Sequence, residues 1–203
     1  MRLAGRQGED RVLTVPNALT AIRLLCIPLF VWLLTRPDRS GWVAAALLLG
    51  ALGLTDGVDG YVARHWDQVS TVGKVLDPLA DRLLLAVAVV SIIAVGALPT
   101  WVAVTALTRE ALVAAGFLIV AALGGRRMDV QWAGKAGTFG LMWALPLFLL
   151  GHARTSWHGL ALFLAWGCVI PALAFGWYSA VTYVPRARAA LAEGRRQREE
   201  ASV

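Results

Sequence analysis

The sequence predicts an all-α membrane protein of six transmembrane helices, with a cluster of carboxylates at the cytoplasmic ends of helices 2 and 3. Three observations carry that expectation. Of 203 residues, 58% are hydrophobic and only 16% charged, against about 25% charged in a soluble domain, and the mean hydropathy is +0.65. Six apolar stretches approach the ~20 residues that a helix needs to cross a bilayer. Basic residues gather at alternate ends of these stretches, as the positive-inside rule requires.

The first stretch covers about 18–35, after a break at Pro16. The second starts near Gly41, is apolar to Leu54 and runs into a charged segment at 55–64. The third begins near Val72, carries Asp77, Pro78, Asp81 and Arg82, and is purely apolar over 83–98. The fourth covers about 101–123, the fifth 134–150 and the sixth 157–184. Three parts follow: a cytoplasmic N-terminal segment at 1–16, a six-helix domain at 17–184, and a basic cytoplasmic tail at 185–203, read as a surface helix or disordered. The N-terminal segment holds Glu9 and Asp10 and has no apolar h-region. The first apolar run is interrupted by Arg23 and has no small-residue cleavage site behind it, so it is expected to stay in the mature protein.

With the N-terminus inside, the cytoplasmic segments hold Arg2, Arg6, Arg11, Arg64, Lys74, Arg126, Arg127 and Lys135, together with Arg186, Arg188, Arg195, Arg196 and Arg198 of the tail. The opposite side holds Arg36, Arg39 and Arg154. An even number of spans with both ends inside satisfies that asymmetry. The net charge of +6 therefore points to anionic headgroups rather than nucleic acid. Trp42, Trp66, Trp101, Trp132 and Trp157 fall near helix ends, where an indole sits at headgroup level, and Trp32, Trp143, Trp166 and Trp177 are read as packing residues. Cys26 and Cys168 lie in apolar runs without CxxC spacing, which argues against a disulfide framework.

The connected ends of the second and third stretches read TDGVDGYVARHWDQVSTVGKVLDPLADR. Asp56 and Asp59 are three apart and Asp77 and Asp81 four apart, so each pair shares one helix face. Four carboxylates converging at the edge of a low-dielectric region repel one another, and a bound divalent cation offsets that repulsion. Hard oxygen ligands suit Mg²⁺, Mn²⁺ or Ca²⁺ rather than zinc. Two other readings compete. The aspartates could pair with Arg64, Lys74 and Arg82 as a salt-bridge cluster, or serve as the ion path of a divalent-cation transporter. Against the transporter, the charges gather at one membrane face, whereas an ion path needs polar groups across the bilayer.

This stretch resembles the signature of the CDP-alcohol phosphatidyltransferase family, D-x2-D-G-x2-A-R-x8-G-x3-D-x3-D, with Asp56, Asp59, Gly60, Ala63, Arg64, Gly73, Asp77 and Asp81 at its fixed positions. The opening VPNALTAIRLLCIPLF, with Pro16, Asn17, Leu19, Thr20, Arg23 and Pro28, is similar to the bacterial cardiolipin synthase and phosphatidylglycerophosphate synthase branch. The likeness extends over about 11–184. It implies a polar active site at the cytoplasmic ends of helices 2 and 3 and a divalent cation, Mg²⁺ or Mn²⁺, held by Asp56, Asp59 and Asp77 with Asp81 also near metal. It further implies Asp81 as the general base toward the acceptor hydroxyl, and a CDP-diacylglycerol site at Asp56, Gly60, Ala63, Arg64 and Gly73. A multi-pass homodimer in the plasma membrane is the implied assembly.

The acceptor is read from two later segments. Glycerol 3-phosphate enzymes of this branch often show R-E-F-x3-G-L-R on the fourth helix and G-K-x-K-T on the fifth. Here Arg109, Glu110, Gly134, Lys135 and Thr138 are kept, but Phe117 replaces the second arginine and Gly137 the second lysine. A site short of two cations suits phosphatidylglycerol, with its single negative charge, better than the small dianion glycerol 3-phosphate. Arg109, Glu110 and Lys135 are expected to line the acceptor pocket, and the product expected is cardiolipin, with glycerol 3-phosphate as the alternative acceptor.

Overall fold

In a computed structural model the described residues form six α-helices. The structure describes residues 15–66, 73–123 and 131–201, with side chains at 20–37, 39–55, 80, 82–120, 122–123 and 131–192. The helices are α1 (Val15–Leu34), α2 (Trp42–Trp66), α3 (Gly73–Ala94), α4 (Thr100–Ala122), α5 (Trp132–His152) and α6 (His158–Ala201). Their limits follow the six apolar stretches to within a few residues, except that α6 does not stop at the expected boundary. It continues through Pro185 for 44 residues in all, about 66 Å of helix at 1.5 Å per residue. Proline removes one backbone donor, but helix-forming alanine and arginine on its far side carry the helix on.

Among the described residues three stretches are long and apolar enough to cross a membrane: Thr100–Val120, Trp132–His152 and His158–Ala192. The apolar parts of α1, α2 and α3 are shorter within the described residues, at Thr20–Leu34, Trp42–Thr55 and Arg82–Ala94. Charged segments occupy the remainder of α2 and α3. Large apolar side chains stand outward along the helices, among them Leu25, Leu118 and Phe163, each more than 70% exposed. A soluble protein would hide such a surface, so the chain is built for contact with lipid.

The fold divides into two compact units. The first comprises Met1–Leu98 and Met142–Ala165. In it α1 packs against both α2 and α3. Ala45, Ala46, Ala88, Ala144 and Ala161 are buried alongside Phe30, Leu84, Ile92 and Phe148, and small residues of this kind let helix backbones approach closely in lipid. The α1–α2 turn is fixed locally. Arg36 precedes Pro37 and takes extended backbone angles, φ −62 and ψ 132, because proline disfavours helix in the residue before it. Trp42 is buried and donates its indole N–H to the Leu34 carbonyl at 3.2 Å, satisfying one of the orphan carbonyls at the end of α1. Arg39 lies over the Trp42 ring and donates to the His152 carbonyl at 3.1 Å. Trp42 is thus a capping residue rather than a headgroup indole. Trp32 corrects in the other direction: it is 51% exposed, with Arg36 stacked 3.9 Å from its ring centre.

Helix α3 ends in a Schellman motif. Gly96 has φ +75, its N–H bonds to the Ile93 carbonyl at 2.8 Å, and the Ala97 N–H bonds to Ile92 at 3.0 Å. The left-handed backbone there is what glycine tolerates.

The second unit comprises Pro99–Leu141 and Trp166–Val203. Its core includes Val102, Ala103, Ala106, Leu141, Val169 and Ala172. Trp101 and Trp166 stack at 5.8 Å. The start of α5 is held by α6, where the Gln131 backbone N–H donates to the Tyr183 hydroxyl at 3.1 Å and Thr182 donates to Gln131 Oε1 at 2.8 Å.

Candidate active site and acceptor region

Asp56, Asp59, Gly60, Ala63 and Arg64 all fall on α2, and Gly73, Asp77 and Asp81 on α3; their side chains lie outside the described residues. The backbone still restricts what they can do. Six residues, 67–72, separate the last residue of α2 from the first of α3, and both helices pack on α1. At 1.5 Å per residue, Asp56 and Asp59 stand about 15 and 10 Å of helix rise before Trp66, and Asp77 and Asp81 about 6 and 12 Å after Gly73. All four positions therefore fall within three helical turns of the link. Gly73, Asp77 and Asp81 occupy one stripe at i, i+4, i+8, and Asp56, Gly60 and Ala63 another at i, i+4, i+7. Four carboxylates at these positions are a hard-oxygen donor set that fits Mg²⁺ or Mn²⁺. Among the described residues no group of three His, Cys, Asp or Glu side chains is placed to hold a metal, and the four aspartate side chains lie outside them.

Thr20 and Arg23 of the opening motif are buried in α1, 2% and 4% exposed. Arg126 and Arg127 lie outside the described residues.

In the second unit, Arg109 is buried, 5% exposed, and its guanidinium is spent on protein. It donates to the Gly176 carbonyl at 3.2 Å and the Gly134 carbonyl at 3.5 Å, pairs with Glu110, and reaches Thr138 Oγ1 at 3.4 Å. Thr138 donates in turn to Gly134 at 3.1 Å. One side chain of α4 thus ties together α5 and α6. Ser179, fully buried, belongs to the same cluster: a Cβ on Gly134 would meet its Oγ at 2.8 Å and Arg109 at 3.2 Å. Lys135, the next residue on α5, is exposed. Sequence reasoning missed Ser179 and Gly176, whose separation from Arg109 hides them.

The two substituted positions are explained by packing. A Cβ on Gly137 would lie 2.9 Å from the Ala172 carbonyl and from the Gly176 backbone, and one on Gly140 would lie 2.7 Å from Ala172 Cβ. Gly137 and Gly140 therefore form a seam where α5 closely approaches the α6 backbone, leaving no space for a lysine at 137. Phe117 makes an edge-to-face contact with Tyr183 at 5.3 Å in the wall of an apolar cavity.

A model of CDP-alcohol phosphatidyltransferases matches residues 13–176, from the start of α1 to the carbonyl that receives Arg109. The chain belongs to the CDP-alcohol phosphatidyltransferase family. It is an enzyme, a transferase of phospholipid synthesis. The cardiolipin synthase (CMP-forming) of Streptomyces coelicolor is 38% identical to it, covering 90% of this chain and 86% of its own length. A putative cardiolipin synthase of Mycobacterium bovis is 38% identical over 80% of this chain and 77% of its own. The CDP-diacylglycerol–glycerol-3-phosphate 3-phosphatidyltransferase of Escherichia coli is 34% identical over 87% and 96%. Membership in this enzyme family replaces the transporter reading.

For this phosphatidyltransferase the glycine seam makes a testable demand. Gly137→Ala forces α5 and α6 apart and is expected to destabilise the protein by about 1–3 kcal/mol, the usual cost of overpacking. Gly116→Ala, whose Cβ would have nothing within 4 Å, leaves the thermal unfolding midpoint in detergent unchanged or raised. Equal midpoints for the two variants contradict the seam.

Proposed function

We propose that this enzyme transfers the phosphatidyl group of CDP-diacylglycerol to phosphatidylglycerol, giving cardiolipin and CMP. The observation that carries the acceptor is the pair Gly137 and Phe117. At the first, α6 backbone occupies the space of a second lysine. At the second, an aromatic side chain packed on Tyr183 stands where a second arginine would be. A dianion such as glycerol 3-phosphate loses two expected partners, while a phosphodiester carrying one charge and two acyl chains loses little. The 38% identity to a CMP-forming cardiolipin synthase supports the same reading.

In this reading all six helices span the membrane, with both termini and the carboxylates at the cytoplasmic face of the plasma membrane, and the protein acts as a homodimer. Asp56, Asp59 and Asp77, with Asp81 adjacent, would hold Mg²⁺ or Mn²⁺. The cation when bound neutralises pyrophosphate charge and favours departure of CMP. Gly60, Ala63 and Gly73 give the nucleotide close access to helix backbone, and Arg64 pairs with phosphate or orients a carboxylate. Asp81 accepts the proton of the acceptor's glycerol hydroxyl as that oxygen forms its bond to the lipid-side phosphorus. The phosphorus–oxygen bond to CMP breaks, and CMP carries away the charge. Lys135 offers an exposed ammonium to the acceptor's phosphate, and Arg109 with Glu110 holds the helices on which it stands.

Glycerol 3-phosphate is the second reading, favoured by retention of Arg109, Glu110, Gly134, Lys135 and Thr138 and by 34% identity to the Escherichia coli enzyme. Purified protein given CDP-diacylglycerol, Mn²⁺ and each acceptor separately decides between them. CMP release is expected with phosphatidylglycerol. Release with glycerol 3-phosphate alone overturns the assignment.

A further inference from the structure

The second unit contains a cavity of about 310 Å³ whose lining includes neither Arg109 nor any of its partners. Gly116 and Phe117 of α4 and Trp177, Val181, Val184 and Ala187 of α6 line it. At the lower end of the range for ligand sites, about 300–1000 Å³, it has room for one acyl chain. Gly116 faces open space in this lining: a Cβ there would have nothing within 4 Å. Val181 and Val184 are more than half exposed, so the cavity opens outward along α6. Where the lining ends at Ala187, the helix places a cation. Arg188 follows Val184 by four residues and Val181 by seven, which puts it on the cavity's own face, and it is exposed.

We propose that this cavity is a binding site for an anionic phospholipid, with one acyl chain between α4 and α6 and the phosphate at Arg188. An apolar slot ended by an exposed guanidinium complements a lipid of that charge, and the anionic surface of the cytoplasmic leaflet supplies it. A zwitterionic lipid offers the same chain but a weaker partner for Arg188. The inference rests on the membrane orientation proposed above but not on the identity of the acceptor, so its test reads binding rather than turnover.

Full-length protein in phosphatidylcholine nanodiscs is irradiated with phosphatidylglycerol carrying a diazirine in one acyl chain, and labelled peptides are mapped. Label is expected on 112–117 and 177–187, displaced by unlabelled phosphatidylglycerol and not by added phosphatidylcholine. Gly116→Leu fills the cavity and lowers labelling about tenfold or more, since losing burial of about two methylenes costs that much. Gly167→Leu, on α6 with equally open space around its Cβ, leaves labelling unchanged and controls for bulk added on a helix surface. Arg188→Gln abolishes the preference for phosphatidylglycerol over a diazirine phosphatidylcholine. Wild-type labelling in Gly116→Leu overturns the site, as does a change in oligomeric state in place of a change in labelling, which would make the occupant a second copy of the chain. If phosphatidylglycerol is labelled here yet supports no CMP release, the acceptor assignment falls and this site stands.

Discussion

Asp81→Asn is expected to lower CMP release by about 100- to 10,000-fold, the range that a positioned general base contributes, while CDP-diacylglycerol still binds. Asparagine keeps the volume and the helix position on α3 but cannot take the acceptor's proton. In the proposed site three carboxylates remain for the cation, so the nucleotide is expected to retain its partner. The comparison needs two readouts on one preparation: turnover with saturating acceptor, and equilibrium binding of CDP-diacylglycerol in the presence of Mn²⁺. Loss of both together would move Asp81 into the essential metal-holding set. Retained turnover would remove it from the chemistry.

Asp56→Asn is expected to lose both properties. Even partners one step removed from a metal cost about 10- to 100-fold in metal affinity when altered, so a direct ligand costs at least the upper end of that range. Nucleotide binding should fall with Mn²⁺ binding, because the pyrophosphate then lacks its counter-charge. Mn²⁺ binding followed by its electron paramagnetic resonance signal reads the first, and the CDP-lipid titration the second. An Asp56→Asn protein that binds Mn²⁺ as tightly as wild type contradicts its assignment as a ligand. The two variants separate the proposed metal ligand from the proposed base, a difference that four identical side chains conceal.

What the sequence made readable follows from range. Helix positions were readable because apolar runs are local, and the limits of α1 to α5 agree with them to within a few residues. The pairing of the aspartates along helices was legible because their spacing is also local, and α2 and α3 carry all four as helical positions. Gly137 was harder. From sequence it is a missing cation, but in the fold it belongs to a seam with Gly140 against Ala172 and Gly176, and residues 35 to 39 positions away cannot be paired by periodicity. Arg109 was legible as a charge within a span, though its partners Gly134, Thr138 and Gly176 were not. Trp42 shows the limit of the aromatic-belt rule. Its place near a helix end suggested headgroup contact, whereas a neighbouring carbonyl captured its indole. The length of α6 was hidden by Pro185, which reads as a boundary yet costs a helix only one donor and local strain.

The most direct test of the whole account is removal and return of the cation. Protein stripped with a chelator and supplied with CDP-diacylglycerol and phosphatidylglycerol should release no CMP. Adding Mg²⁺ or Mn²⁺ should then yield CMP and cardiolipin in equal amounts, and Asp56→Asn should fail to respond. CMP release that survives chelation, or that the returned cation leaves unchanged, would contradict the carboxylate site.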